Sequence, residues 1–252
     1  MTSLTCFIPP NPISNLIVTL FNDEDTADLV LEVGEGLQKR RLYAHRLILT
    51  KCAPDLAALC EDCDKDKPLP LPDDDPEVFH EILRFVYGGK VAEDKWGTRH
   101  RVFIDTADKF GVGNLKIEAE VRYVKTEAIT ADNVVEKLAY ADSKNCSLLK
   151  ECAIIFMMND PTDVMNSESF NSFPKSESII KEILFVGSMM NSAGKRTFGK
   201  SAISNNYNQK FRADGCKANK FCCIDVLRQR LSAEGLDVDG SREVLIARLE
   251  GR

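Results

Sequence analysis

The stretch DPEVFHEILRFVYGGKV, residues 75–91, decides the fold of this chain. Its apolar residues recur at the spacing of one helix face, and Pro76 stands at the first helical position, where a missing N–H costs nothing. Upstream, ADLVLEV at residues 27–33 alternates and is rich in β-branched residues, which predicts a strand. A second strand is predicted near residues 41–44. Two strands followed by an amphipathic helix indicate a domain of the α+β class.

The rest of the chain predicts helices. Residues 47–59 indicate two short helices separated by Pro54, and beyond residue 100 the apolar residues keep helical spacing. Residues 187–220 have no sustained apolar period and are rich in Ser, Asn, Gly and Lys, which predicts a linker. In residues 221–252 two short apolar stripes flank a glycine turn. This pattern predicts a helical hairpin with Ser241 as the N-cap of its second helix.

The charge of the chain is divided unevenly. The net charge is -6 overall, yet residues 187–252 hold 12 Lys/Arg against 7 Asp/Glu, a net of +5, which leaves -11 for residues 1–186. An acidic body with a basic tail predicts that any contact with a polyanion is made by the tail.

Nothing in the sequence predicts catalysis. The nine cysteines are odd in number and irregularly spaced, and the N-terminus has no basic region followed by an apolar core. Free thiols in the nucleus or cytoplasm are therefore expected, and no apolar run reaches membrane-spanning length. Cys60 and Cys63 lack a second pair for zinc, and no acid–base pair accompanies His45, His80 or His100. We expect a protein that is not an enzyme, with no metal, no cofactor and no membrane partner.

Three strings in a characteristic order and spacing carry a family resemblance. They are ADLVLEV (27–33), LYAHRLILTKCAPDL (42–56) and DPEVFHEILRFVYGGKV (75–91). The region that they span resembles a BTB/POZ domain. The resemblance implies a small sheet flanked by helices and a role in protein–protein interaction.

The helical part of the chain resembles the three-box and BACK-like extension of the speckle-type POZ branch. The resemblance rests on ADKFGVGNLKIEAE (107–120) and on the string that runs from ITADNVVEKLAYADSK to NDPTDVM (129–165). Members of that branch usually carry an upstream MATH domain, for which we expect no room before Asp28. The implied organisation is a BTB/POZ domain at 13–99, a three-box/BACK-like region at 100–186, a basic linker at 187–220 and a hairpin at 221–252.

For a BTB/POZ domain the resemblance implies a homodimer and a contact with a cullin-3-type scaffold protein. The residues expected in the dimer interface are Ile13, Leu16, Ile17, Leu20 and Asp28. Those expected to touch the cullin are Leu59, Glu61 and Tyr87. The sequence departs from the branch here, because the loop after Leu59 is shorter and Cys52 and Leu56 replace a Ser/Thr–aromatic motif.

The C-terminal hairpin FCCIDVLRQRLSAEGLDVDGSREVLIARLEGR resembles a SAP motif. The resemblance implies that duplex DNA is bound at the start of the second helix, where free N–H groups and mobile cations meet a phosphate. The residues expected to bind nucleic acid are Lys217, Lys220, Arg228, Ser241, Arg242 and Arg248. The alternative is a generic hairpin docked on the body. Asp237, Asp239 and Glu243 weigh toward that alternative, because they repel phosphate.

Two functions compete at this stage. In the first, the chain is a homodimeric adaptor that brings a ubiquitination target to a cullin-3-type RING ubiquitin ligase, with a SAP-like motif that binds nucleic acid. In the second, it is a BTB-dimerised chromatin or transcription scaffold without a link to ubiquitination, and dimerisation doubles the valency of the tail. Cullin binding and salt-dependent DNA binding distinguish them.

Overall fold

The computed structural model describes residues 12–173, 176–192 and 223–251. The chain divides into two compact units, residues 1–115 and 116–252. The first unit is mixed α and β. Its elements are α1 (Pro12–Thr19), β1 (Leu29–Val33), a 3₁₀ turn (Gly36–Gln38), β2 (Arg40–Ala44), α2 (Arg46–Cys52), α3 (Pro54–Leu59), β3 (Leu69–Leu71), α4 (Pro76–Val86), α5 (Glu93–Trp96) and α6 (His100–Lys109).

The three strands form one sheet in the order β2-β1-β3. Strand β1 pairs antiparallel with β2, Leu29 opposite Ala44, and parallel with β3, Leu31 opposite Leu69. Because β1 is central, it is buried at nearly every position rather than at alternate ones. The strands predicted at residues 27–33 and 41–44 are both present, and Pro54 separates α2 from α3 as predicted.

Helix α4 packs its apolar face into the core of the first unit. Asp75 caps it, since its carboxylate accepts hydrogen bonds from the backbone N–H groups of Glu77 at 2.8 Å and Val78 at 3.3 Å. Fully burying a side chain such as Phe79 contributes roughly 1.5–3 kcal/mol. Pro76 lies so close to Gly34 that a Cβ there would stand 2.6 Å from the proline ring, so only glycine fits at Gly34.

The second unit is helical throughout the residues described. Helix α7 (Gly113–Thr126) runs across the division between the units, and it is followed by α8 (Val134–Ser143), α9 (Ser147–Asn159), α10 (Pro161–Asn166), a 3₁₀ turn (Glu168–Ser172), α11 (Glu177–Ser192), α12 (Ile224–Ala233) and α13 (Arg242–Leu249). The linker predicted at 187–220 therefore begins within a helix, because α11 continues to Ser192. Residues 193–222 lie outside the described part of the chain.

Two apolar clusters stabilise the second unit. The larger is formed mainly by α8, α9 and α11, with residues such as Leu138, Ile154 and Ile179. The smaller belongs to the C-terminal helix pair, which we define as α12 and α13. Its buried members are Ile224, Leu227, Leu231 and Leu245. Among the helices described, none is long and apolar enough to cross a membrane.

Candidate protein-interaction site

Helix α1 exposes apolar side chains on the first unit. Leu16 is 58% exposed, and Ile17 and Val18 are each 40% exposed. Leu20 is half-buried just beyond the helix. The side chain of Ile13 lies outside the described part of the chain. A helix of eight residues that shows three neighbouring apolar side chains to solvent is a candidate contact surface.

Asp28 lies at the start of β1 and is exposed in the single chain. Its Oδ1 accepts a hydrogen bond of 2.8 Å from the backbone N–H of Arg46, the first residue of α2. The N-cap residue of that helix, His45, provides no side-chain cap of its own. Asp28 therefore satisfies one of the free N–H groups at this helix end in addition to any interface role.

Leu59 and Glu61 are accessible at the end of α3. Leu59 is 50% exposed and Glu61 is exposed. The turn that carries them is fixed from inside, since the Arg46 guanidinium donates to the carbonyls of Cys60 at 2.7 Å and Cys63 at 2.6 Å. An apolar side chain and a carboxylate are thus exposed on a turn that charge-assisted hydrogen bonds from Arg46 hold in place.

Tyr87 is fully buried in the single chain, and its contact with a cullin stays a prediction. Its hydroxyl oxygen accepts a hydrogen bond of 2.8 Å from the His45 backbone N–H and lies 2.9 Å from the His45 Nδ1. Burial raises the pKa of Tyr87 to about 12. The residue joins the end of α4 to the start of α2 and acts within the fold. Sequence position alone does not reveal this, because tyrosine is common both at surfaces and in cores.

Arg242 is also buried, and its role as a cation facing phosphate stays a prediction. Its Nη2 lies 2.6 Å from the Glu151 Oε1 and its Nε lies 3.3 Å from the Glu182 Oε1. Its guanidinium carbon lies 4.8 Å from the ring centre of Phe185. Because all of these partners belong to α9 and α11, the arginine joins α13 to these two helices.

Arg228, which the sequence predicts to bind nucleic acid, is likewise buried in the structure and faces a carboxylate. Its Nη2 lies 2.8 Å from the Glu120 Oε2, an ion pair by distance whose angle does not make a hydrogen bond. The other oxygen of Glu120 accepts the backbone N–H groups of Leu148 at 2.8 Å and Leu149 at 3.0 Å. Glu120 therefore bridges the start of α9 and the arginine of α12.

The remaining nucleic-acid predictions fall in three places. Ser241 is the N-cap of α13 in backbone position, without a side-chain cap hydrogen bond. Arg248 pairs with the Asp237 carboxylate at 2.8 Å and donates to the backbone carbonyls of Asp237 and Asp239, so it holds the loop between α12 and α13. Lys217 and Lys220 lie outside the described part of the chain.

Sequence reasoning missed the carboxylates that receive these arginines. Glu120, Glu151 and Glu182 are each at most 5% exposed, as few acidic side chains in proteins are. Lys150 is also buried and lies 3.2 Å from Glu182 and 2.6 Å from Asp142. The available signal was the pair Lys150 and Glu151 inside the apolar run of α9, since a charge on a core face requires a partner. Burial raises the pKa of Glu182, although Arg242 and Lys150 act to lower it.

The Cys60 thiol is buried just after α3. Burial raises the pKa of Cys60 to about 11, so its thiol remains protonated at neutral pH. Within the described ranges, no group of three or more His, Cys, Asp or Glu side chains is placed to hold a metal ion.

Comparison with known proteins finds a domain match that covers most of the first unit and ends at the close of α7. Residues 17–127 match the model of the BTB/POZ domain family. The chain is similar to the "BTB/POZ and MATH domain-containing protein 4" of Arabidopsis thaliana, with 26% identity over 181 residues. The match covers 65% of this chain and 37% of that relative. The three-stranded sheet flanked by helices agrees with this family assignment.

Proposed function

We propose, from the premise that residues 17–127 form a BTB/POZ domain, that this chain is a non-catalytic homodimeric adaptor. It recruits a target protein to a cullin-3-type RING ubiquitin ligase in the nucleus or cytoplasm. The observation that carries the proposal is the pair of accessible surfaces on the first unit: the apolar face of α1 and the turn with Leu59 and Glu61. The first surface is assigned to the second copy and the other to the cullin.

Dimerisation by α1 is tested by light scattering of the full chain. The double variant Leu16→Asp/Ile17→Asp places charges on the exposed face without disturbing a buried residue. Leu37→Asp is the matched control, because Leu37 is fully exposed on the 3₁₀ turn. We expect a dimer for the wild type and the control, and a monomer for the double variant. A wild-type monomer at micromolar concentration contradicts the proposed dimer.

Cullin binding is tested by calorimetry with a cullin-3-type N-terminal domain. The variant Leu59→Ala/Glu61→Ala removes an accessible apolar side chain and a carboxylate from the proposed contact. We expect a loss of affinity of at least about tenfold, since a few central residues carry most interface energy. Leu37→Ala is the control. If the wild type gives no heat of binding at high micromolar cullin concentration, the result favours a scaffold without a link to ubiquitination.

A second candidate is a BTB-dimerised chromatin scaffold that binds polyanions through its C-terminal part. The observation that favours it is the excess of five positive charges in residues 187–252, within a chain that is acidic elsewhere. Binding to duplex DNA that weakens steeply with salt supports this candidate. Because Arg228 and Arg242 are paired with carboxylates in the docked helix pair, their contribution to such binding needs a further condition, argued below.

A further inference from the structure

The C-terminal helix pair is joined to helices α7–α11, which we call the helical region, through both charges and apolar contacts. Its own apolar cluster is distinct from the larger one, and Leu148 of the helical region packs against it. Cys223 and Val226 add a small apolar contact with the larger cluster. The junction also has polar contacts, and these include the ion pair of Lys116 with Asp239 at 3.2 Å.

Hydrogen bonds complete this polar junction. Ser147 Oγ donates to the Gly240 carbonyl at 2.5 Å, and the Ile224 backbone N–H donates to the Glu151 Oε2 at 3.1 Å. A junction of this composition resembles the more polar interfaces between separable units rather than a shared core. The helix pair also has an apolar cluster of its own, formed between α12 and α13.

Two of the buried carboxylates occupy positions with the chemistry of an anion site. Glu151 accepts from the first N–H of α12 and from the Arg242 guanidinium at 2.6 Å. Glu120 accepts from two N–H groups at the start of α9 and faces Arg228. A helix N-terminus together with a guanidinium is also the combination that holds a phosphate in proteins. The two arginines are therefore occupied by internal anions.

We propose that docking of the C-terminal helix pair and its binding of a polyanion exclude each other. Glu120, Glu151 and Glu182 compete with phosphates for Arg228 and Arg242, so a polyanion such as duplex DNA reaches these arginines only when the pair is released. This inference rests on the second candidate function. It adds that carboxylates of the chain itself compete with the polyanion for the two arginines. The apparent affinity for the polyanion is then the intrinsic affinity reduced to the released fraction of molecules.

The test is the variant Glu151→Gln in the full chain, with Glu177→Gln as its matched control. Both substitutions remove one negative charge from the helical region, but the Glu177 side chain is 82% exposed and pairs with Lys181 on the surface. Hydrogen exchange of residues 224–249 reports release. Fluorescence anisotropy with a short duplex of mixed sequence at low salt reports binding. For Glu151→Gln we expect exchange at least about tenfold faster, because a buried arginine loses a partner, with a comparable gain in DNA affinity.

Each result decides for or against the proposal. Unchanged exchange in Glu151→Gln overturns the idea that charge holds the pair in place. Faster exchange with the same measurable DNA affinity as Glu177→Gln overturns the competition. No salt-sensitive DNA binding by the wild type or by any variant shows instead that the polyanion function itself fails. The exclusion is also overturned if the wild type binds DNA tightly while its exchange stays slow, and Arg242→Gln abolishes that binding.

A second variant keeps the test valid if Glu151→Gln unfolds the unit. The double variant Glu151→Gln/Arg242→Gln leaves neither partner as an uncompensated charge. We expect exchange of residues 224–249 near that of the wild type and DNA affinity no greater than that of Glu177→Gln. Fast exchange in the double variant, with the helical signal retained by circular dichroism, contradicts charge pairing as the cause of docking.

Discussion

Helix α1 of the first unit exposes Leu16 and Ile17, whereas the C-terminal helix pair of the second unit buries Arg228 and Arg242. Both surfaces are expected from the sequence to bind a partner. In the first, apolar side chains are exposed among the described residues, which makes this face a candidate contact surface. In the second, the residues best suited to bind an external anion have internal carboxylates. The difference teaches that residue type alone does not identify a binding residue. What identifies it is whether its apolar surface or its charge is already satisfied within the fold.

The strongest way to break this comparison is Arg242→Ala. Removal of one partner from a buried ion pair leaves Glu151 and Glu182 without their guanidinium, and we expect a loss of about 3–5 kcal/mol in the free energy of unfolding. Urea unfolding of the full chain, followed by far-UV circular dichroism, measures it. Lys181→Ala removes an exposed partner of Glu177 and is the control, with an expected cost below about 1 kcal/mol. Equal effects of the two variants contradict a structural role for Arg242.

A finer distinction is expected within the same network. Burial raises the pKa of Glu182, so in the folded state its charged form is disfavoured despite Arg242 and Lys150. Its favourable contribution is present at low pH and is lost as the pH rises through the raised pKa. We therefore expect Glu182→Gln to cost less at pH 7 than Glu151→Gln, the neighbouring carboxylate. The stability of the wild type relative to Glu182→Gln should rise as the pH falls toward 4.5. Urea midpoints at several pH values check the sign, and an opposite trend contradicts it.

Tyr87→Phe extends the comparison to the first unit. Loss of the hydroxyl leaves the His45 backbone N–H without its acceptor, and we expect a cost of about 1–3 kcal/mol. Thermal unfolding measures this cost, and calorimetry with the cullin domain measures binding by the folded variant. A large loss of cullin affinity with unchanged stability would return Tyr87 to the contact surface.

Asp28→Ala tests the helix-capping role of an exposed residue. The start of α2 loses the acceptor for the Arg46 N–H, and a lost cap costs about 1 kcal/mol. Asp28→Asn retains an oxygen acceptor and is the control. If both variants form monomers without loss of stability in thermal unfolding, the interface role predominates over the cap.

The smallest effect on stability is expected for Leu59→Ala. Its side chain is half in solvent, so the free energy of unfolding should change by no more than about 0.5 kcal/mol. A loss well above this in urea unfolding shows that Leu59 packs within the fold and is unsuited to a partner contact.

The sequence was sufficient for the local framework of the first unit. The β-branched alternation of β1, the proline at the start of α4 and the helix break at Pro54 all depend on neighbouring residues, and all appear in the structure. The exposure of Leu16 and Ile17 agrees with their prediction as interface residues, although the dimer itself stays a prediction. Local rules succeed where the physical cause is local.

The environments of the polar residues were not predictable in the same way. The partner of Tyr87 is 42 residues away at His45, and Arg242 meets Glu151 across 91 residues. A helical pattern shows that a residue lies on a face, but it does not show which distant element covers that face. For this reason Arg242 was predicted at a surface that α9 and α11 in fact cover.

The separation between partners in the second unit has a consequence for the order in which it folds. Helices α8 and α9 are consecutive in the chain, so their contacts are short-range. Lys116 and Asp239, in contrast, are 123 residues apart. Contacts so distant along the chain require closure of a long loop, whose entropy must be overcome before they form. We expect the helical region to collapse first, with Glu120 and Glu151 still hydrated, and the C-terminal helix pair to add last. The final step of folding is then the step that removes these carboxylates from water.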